Sequence, residues 1–181
     1  MPYLNITTNQ EVKDNVMKHL LNDAIWPDFT KLPNSKDPTL RFNTFEAGET
    51  KNIGGYEVTA VKVNHMAGSL GFIIEKDGAC VVFTQDTGPT DEIWKIAKEK
   101  KNLKGIFTEV SFPNSMTQVA ADSLHHTPAT MKEEIKKMPG EVPIFLGHLK
   151  PNFQDLLYTE IDALGNPRIT ILGSDDASFV F

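Results

Sequence analysis

The apolar residues of this chain are gathered in strand-sized runs, of which Ala79 to Phe83 is the plainest, and none is long enough to cross a bilayer. Residues patterned this way are buried in sheets rather than in membrane helices. Two runs, Leu70 to Glu75 and Ala79 to Thr84, flank Lys76-Asp77-Gly78, a composition that predicts a hairpin. Upstream, Leu40 to Phe45 alternates and Tyr56 to Asn64 is rich in β-branched residues, so both read as strands, with Gly54-Gly55 as a turn between them. After an extended start, Glu11 to Asn22 places Val12, Val16, Leu20 and Leu21 on one helical side, and Pro27 ends that region.

The second half alternates between the two kinds of element. Thr90 is placed to cap a helix reaching Lys101, with Asp91 and Glu92 at its positive end, Lys98, Lys100 and Lys101 at its negative end, and Ile93, Ile96 and Ala97 on its apolar side. Leu103 to Val110 follows as a strand and Met116 to Ser123 as a short helix. Thr127 then caps a helix with Pro128 in its first position, and Met131, Ile135 and Met138 recur at helical spacing until Gly140. Val142 to Leu146 is a buried-type strand, Phe153 to Leu164 a helix and Arg168 to Leu172 a final strand. Hairpins followed by strand-helix alternation predict an α/β sandwich, with mixed sheets flanked by helices. With no repeat and no linker, residues 1–181 are expected to form one domain.

Charge and motifs exclude several functions. Acidic residues number 24 against 18 basic, and a net charge of −6 gives no general grip on polyanionic nucleic acid. A small anionic substrate stays open if metal ions or local donors meet its charge. The sequence contains no GxSxG, GxxxxGK[ST], HExxH or paired CxxC. Its one cysteine, Cys80, lies in an apolar run and reads as a small buried hydrophobe. Met1-Pro2-Tyr3-Leu4 is not a signal peptide, which points to the cytoplasm.

What remains is a set of polar residues at the ends of predicted strands, where α/β folds place their sites. His65 follows the strand ending at Asn64, Asp86 follows Phe83 and opens Asp86-Thr87-Gly88, and His148 follows Leu146-Gly147. Taken singly, each has an ordinary alternative: a surface histidine, an Asp that bonds its own turn, and a hydrogen-bonded imidazole. Together they supply nitrogen and oxygen ligands suited to Zn²⁺ or a similar divalent metal. His125 and His126 immediately precede the helix capped at Thr127, whose start favours an anion such as phosphate and opposes protonation of the imidazoles.

The order of these segments resembles the metallo-β-lactamase superfamily. Val63-Asn64-His65 before Gly68-Ser69-Leu70-Gly71-Phe72 is similar to its isolated histidine, Phe83-Thr84-Gln85-Asp86-Thr87-Gly88 to its FxGDTG element, and Leu146-Gly147-His148-Leu149 to its final histidine motif. Gln85 stands where that element has Gly. Within the superfamily, Ile25-Trp26-Pro27-Asp28-Phe29, Glu109 to Asn114, His125-His126-Thr127-Pro128 and Gly147 to Pro151 resemble class II cyclic-nucleotide phosphodiesterases. The superfamily's HxHxDH motif does not occur in the sequence.

The resemblance implies metal ligation by His65, Asp86 and His148, with Asp86 shared between two zinc ions in a complete family enzyme. It implies that His125 is the proton donor or polariser at the phosphate, with Glu109 as its orienting partner and His126 as the rival for His125's place. The implied substrate is a 3′,5′-cyclic nucleotide, cyclic AMP foremost, and the product a nucleoside 5′-monophosphate. Nucleic acid and membranes are not expected partners. Without HxHxDH, the chain is expected to lack an N-terminal part of the fold, to have weak activity, and to expose a strand edge along Leu40 to Phe45 or Tyr56 to Asn64. A second copy, or the missing segment, would cover that edge. A tRNase Z-like RNA-processing hydrolase and a non-catalytic interaction module are the alternatives.

Overall fold

A computed structural model describes residues 3–173 and 179–180 of the chain, which forms two compact units, Met1–Glu49 and Thr50–Phe181. In the first unit, strand β1 (Leu4–Thr8) pairs in parallel with β2 (Leu40–Thr44), from Leu4 opposite Leu40 to Thr8 opposite Thr44. Parallel neighbours need a long crossover. Helix α1 (Gln10–His19) and the loop after it supply that crossover. The Asn9 side chain accepts from the Val12 N–H at 2.8 Å and caps α1. The helix stops at His19, short of the predicted Asn22, because the Asn22 side-chain Oδ1 takes the Ala24 and Ile25 N–H groups at 3.1 and 3.0 Å and folds a turn there.

The second unit holds a seven-stranded sheet whose spatial order is its chain order: β3 (Thr50–Ile53), β4 (Tyr56–Lys62), β5 (Leu70–Lys76), β6 (Ala79–Phe83), β7 (Leu103–Glu109), β8 (Ile144–Gly147) and β9 (Ile169–Ile171). Neighbours from β3 to β6 are antiparallel, and those from β6 to β9 are parallel. Since β4 and β6 both run against β5, they run the same way as each other and as β7 and β8. The C-terminal ends of these four strands therefore open on one rim. This is the mixed, helix-flanked sheet expected from the sequence.

Strand β3 was not predicted. Its residues, Thr50-Lys51-Asn52-Ile53, are mostly polar and only half-buried at best, so they carry no buried-strand pattern. Gly54 and Gly55, at φ +61° and +88°, turn the β3–β4 hairpin rather than linking Leu40–Phe45 to Tyr56–Asn64. β4 thus lies between β3 and β5, which corrects the expectation of an open edge along Tyr56–Asn64.

Helices α2 (Glu92–Glu99), α3 (Thr117–Asp122), α4 (Pro128–Ile135) and α5 (Gln154–Asp162) complete the unit. Val61, Ile73, Val82, Ile106, Ile144 and Leu146 of the strands form one buried cluster with Ile93, Trp94 and Ala97 of α2, Met131 of α4, and Leu157 and Ile161 of α5. On the alternate positions, Phe83, Phe107 and Phe145 are cross-strand partners with ring centroids 4.4 and 4.7 Å apart. This ladder pins the register of the three strands that carry most of the rim. Cys80 is buried, and burial pushes its thiol up to about 11.

Two helix ends differ from expectation. Thr90 does not cap α2; its N–H goes instead to Glu134 Oε1 at 3.0 Å. The same buried carboxylate accepts from Trp94 Nε1–H at 2.5 Å and pairs with Lys137 at 2.7 Å, so it ties the segment before α2 and the helix's own Trp94 to α4, while α2 itself starts at Asp91 without a side-chain cap. Thr127 caps α4 as predicted, in a reciprocal pair with Thr130, but α4 ends at Ile135 and Met138 is buried in the turn beyond it. Among the described residues, no helix is long and apolar enough to cross a membrane.

Gly71 sets how closely α2 approaches the sheet. A Cβ there would lie 2.8 Å from Ile93 Cδ1, 2.9 Å from Val63 Cγ1 and 3.0 Å from the Phe83 carbonyl oxygen. Gly71→Ala is therefore expected to destabilise the protein by about 1–3 kcal/mol through overpacking, which a urea titration would measure.

Candidate metal centre

Four strand ends and one helix-to-helix loop deliver polar side chains to the rim. His65 lies three residues beyond β4, Asp86 three beyond β6 and His148 one beyond β8, while Glu109 is the last residue of β7 and His125 arrives between α3 and α4. The ligand atoms of His65, Asp86 and His125 lie within 4.8 Å of one another, as do those of Glu109, His125 and His148. His148 Nδ1 is 3.3 Å from Asp86 Oδ1. The His125 ring stands between the other two imidazoles, its centroid 4.9 Å from that of His65 and 5.3 Å from that of His148. All five residues singled out from the sequence thus meet in one cluster.

Tight turns bring them there. Gln85, Leu124 and His148 have φ of +57°, +57° and +59°. Such left-handed conformations cost non-glycine residues roughly 1–2 kcal/mol each and gather where geometry matters for function. Gln85 thus keeps the turn of the FxGDTG element without its glycine. Leu124 turns its carbonyl toward His65 Nδ1 at 3.1 Å, so Nδ1–H donates and Nε2 is left free. The His65 and Asp86 loops are tied together by Gly88 N–H to the Asn64 carbonyl at 2.8 Å, and by Asn64 Nδ2–H to the Pro89 carbonyl at 3.0 Å.

Behind the cluster sits the carboxyl of Glu109, 2% exposed. Its Oε1 is 2.6 Å from His125 Nδ1 and accepts the Thr87 N–H at 3.3 Å, while Oε2 accepts the Ser111 hydroxyl at 2.8 Å. Ser111 Oγ in turn accepts Nδ1–H of His148 at 2.9 Å, which leaves the lone pair of His148 Nε2 facing outward. The Lys150 ammonium lies on that nitrogen at 3.3 Å. Burial raises Glu109 to about 7 and lowers His125, so both groups move toward their neutral forms. At 2.6 Å the two groups are within hydrogen-bond distance of each other.

His126 takes the other side. It is fully buried, its Nδ1 is 3.0 Å from Thr130 Oγ1, and its Nε2 has no hydrogen-bond partner among the described residues. His125 rather than His126 therefore faces the cluster, a choice the sequence left open. Ser111 and Lys150 had no role assigned from sequence. The signal for Ser111 was its spacing two residues after Glu109, which puts both on the same side of an extended segment.

The donors fit a divalent cation. Imidazole nitrogens and carboxylate oxygens converge within a few ångströms, two of the imidazoles have their Nδ1–H groups held by protein acceptors, and a cationic ammonium already rests on one exposed Nε2.

Burial holds His126 down at about 4, against 6.5 in an exposed histidine. The unfolded chain therefore binds a proton here before the folded one does. Stability from this group is present above pH 6.5 and falls toward pH 4, by about 3 kcal/mol in all. Glu109 acts in the opposite sense, so the difference between wild type and His126→Gln is the quantity to follow. That difference is expected to shrink by about 3 kcal/mol between pH 7 and pH 4 in urea titrations.

The fold has solved relatives. The metallo-beta-lactamase fold protein YhfI from Bacillus subtilis superposes with a TM-score of 0.69 at 16% identity, over 94% of this chain and 62% of that one. The zinc-bound PqqB from Methylobacterium extorquens gives 0.57 at 12% identity, over 94% and 60%. Human tRNase Z, short form, gives 0.54 at 14% identity, over 84% and 62%. The chain spans about three fifths of the length of each of these structures, and at such identities the likeness is one of fold. No curated protein sequence matches it significantly. The family model of the beta-lactamase superfamily domain matches residues 7–148, from within β1 to the rim histidine His148, and the chain belongs to that superfamily.

Proposed function

We propose that the protein is a metal-dependent phosphodiesterase that opens 3′,5′-cyclic nucleotides, cyclic AMP foremost, to nucleoside 5′-monophosphates. The observation that carries this reading is the placement of His125, backed by buried Glu109, next to both His65 and His148 and close to Asp86. His65 and His148 through their Nε2 atoms, and Asp86 through its carboxylate, would hold the metal. A zinc ion there supplies Lewis-acid polarisation of a phosphoryl oxygen and lowers the pKa of a water.

The remaining chemistry belongs to the chain. When Glu109 is protonated, its O–H donates to His125 Nδ1, and the ring's own proton then sits on Nε2. Opening a cyclic phosphodiester toward the 5′-monophosphate forms a bond from a water oxygen to phosphorus, with that water's proton lost to solvent, and breaks the bond from phosphorus to the 3′-oxygen. That oxygen leaves as an alcohol only if it gains a proton, and His125 Nε2–H is the donor. Glu109 holds the ring and refills the proton, so it is a positioning residue.

The substrate is small on this reading. An RNA-processing role such as the name tRNase Z implies for that relative would set a chain of charge −6 against a dense field of phosphates. The three ligands proposed from the sequence are fewer than a two-metal centre needs, so turnover by these 181 residues alone is expected to be slow.

The test is chromatographic. Zinc-supplied protein incubated with cyclic AMP is expected to release 5′-AMP and no 3′-AMP. His125→Ala should lower kcat by about 100-fold with little change in KM, and Asp86→Ala or His148→Ala should reduce the rate to background. Zinc-independent release, or full activity in Asp86→Ala, would contradict the assignment.

A further inference from the structure

Among the described residues, Lys150 is a cation without an ion-pair partner. The other lysines with paired ammonium groups, Lys31, Lys100, Lys136 and Lys137, all meet carboxylates. Lys150 Nζ instead lies 3.3 Å from Nε2 of His148, and among the described residues it makes no ion pair. It is a half-buried side chain on a well-defined backbone. Its N–H donates to the Ser111 carbonyl at 3.3 Å, and it has extended dihedrals of −66° and 124°, as expected of a residue before Pro151. The ring of Phe112 lies 5.7 Å from the ammonium and 5.8 Å from the His125 ring, so Lys150 and Phe112 border the proposed proton donor on the same side.

The nitrogen that Lys150 touches is the one His148 would give to a metal. One lone pair cannot serve both, and an ammonium is repelled by a divalent ion at the same position. Displaced from Nε2, the ammonium has three donors to satisfy, and among the described residues no carboxylate is paired with it.

We infer that Lys150 is the anion-recognising residue of this site: its ammonium lies against His148 Nε2 and, when that nitrogen is given to a metal, takes a non-bridging oxygen of a substrate phosphate. The inference rests on the phosphodiesterase reading for its substrate class. It explains how an acidic protein can select an anionic substrate, since one fixed cation at the rim offsets an unfavourable overall charge.

The experiment is a pair of calorimetric titrations on wild type, Lys150→Ala and Lys150→Arg, each checked for native circular dichroism. Zinc is titrated first, then inorganic phosphate into the zinc-loaded proteins. Lys150→Ala should bind zinc as tightly as wild type or several-fold more tightly, because its competitor is gone. It should bind phosphate about tenfold more weakly, while Lys150→Arg keeps most of that affinity. Unchanged phosphate affinity in Lys150→Ala, or no phosphate binding by zinc-loaded wild type, would overturn the inference, as would a loss of zinc affinity in Lys150→Ala. The phosphodiesterase reading is judged separately by cyclic AMP turnover. Turnover with an unmoved KM in Lys150→Ala would sink the role of Lys150 alone, whereas the expected titrations without turnover would sink the reaction and leave the anion site standing.

Discussion

The buried carboxyl of Glu109 is the constraint on which the candidate site depends. A carboxyl removed from water is costly unless donors surround it. Here its hydrogen-bond partners come from three separate places: the Thr87 N–H beside Asp86, the hydroxyl of Ser111, and the His125 ring. Satisfying one residue therefore fixes the loops that carry Asp86 and His125 and, through Ser111, the orientation of His148. The rim is organised from behind, by a group that itself has almost no access to solvent.

That organisation works only because the strands deliver their ends to the same place. Reversal at β5 makes β4 parallel to β6, and the parallel run from β6 to β8 keeps the following loops side by side. The Phe83, Phe107 and Phe145 ladder makes a one-residue slip costly, because a slip would swap the two faces of those strands. Packing and chemistry are joined at this point: a register error would also scatter Asp86, Glu109 and His148.

Much of this was legible from sequence where a local pattern carries it. The hairpin around Lys76-Asp77-Gly78, the helix begun by Thr127-Pro128 and the strand before Glu109 all combine apolar periodicity with turn or cap chemistry, and their positions were found. The misses have a common cause. β3 pairs through its backbone while its side chains are mostly polar, and the Thr90 N–H before α2 is taken by Glu134, a residue 44 positions away, instead of Thr90 capping the helix. No local window contains either fact. In the site, His65, Asp86, His148, Glu109 and His125 stand out because polar residues beside strand ends are conspicuous. The choice between His125 and His126 depended on which way one extended segment faces. Lys150 gains meaning only from its distance to His148 Nε2.

The central claim is that His65, Asp86 and His148 form a metal centre organised by Glu109 and Ser111. Anomalous diffraction from zinc-soaked crystals, recorded above and below the zinc edge, tests it most directly. The expected result is a zinc peak about 2.0–2.2 Å from His65 Nε2, Asp86 and His148 Nε2, with the Lys150 ammonium moved off that nitrogen. Zinc found only at surface residues away from the rim, with Lys150 still on His148, would contradict it.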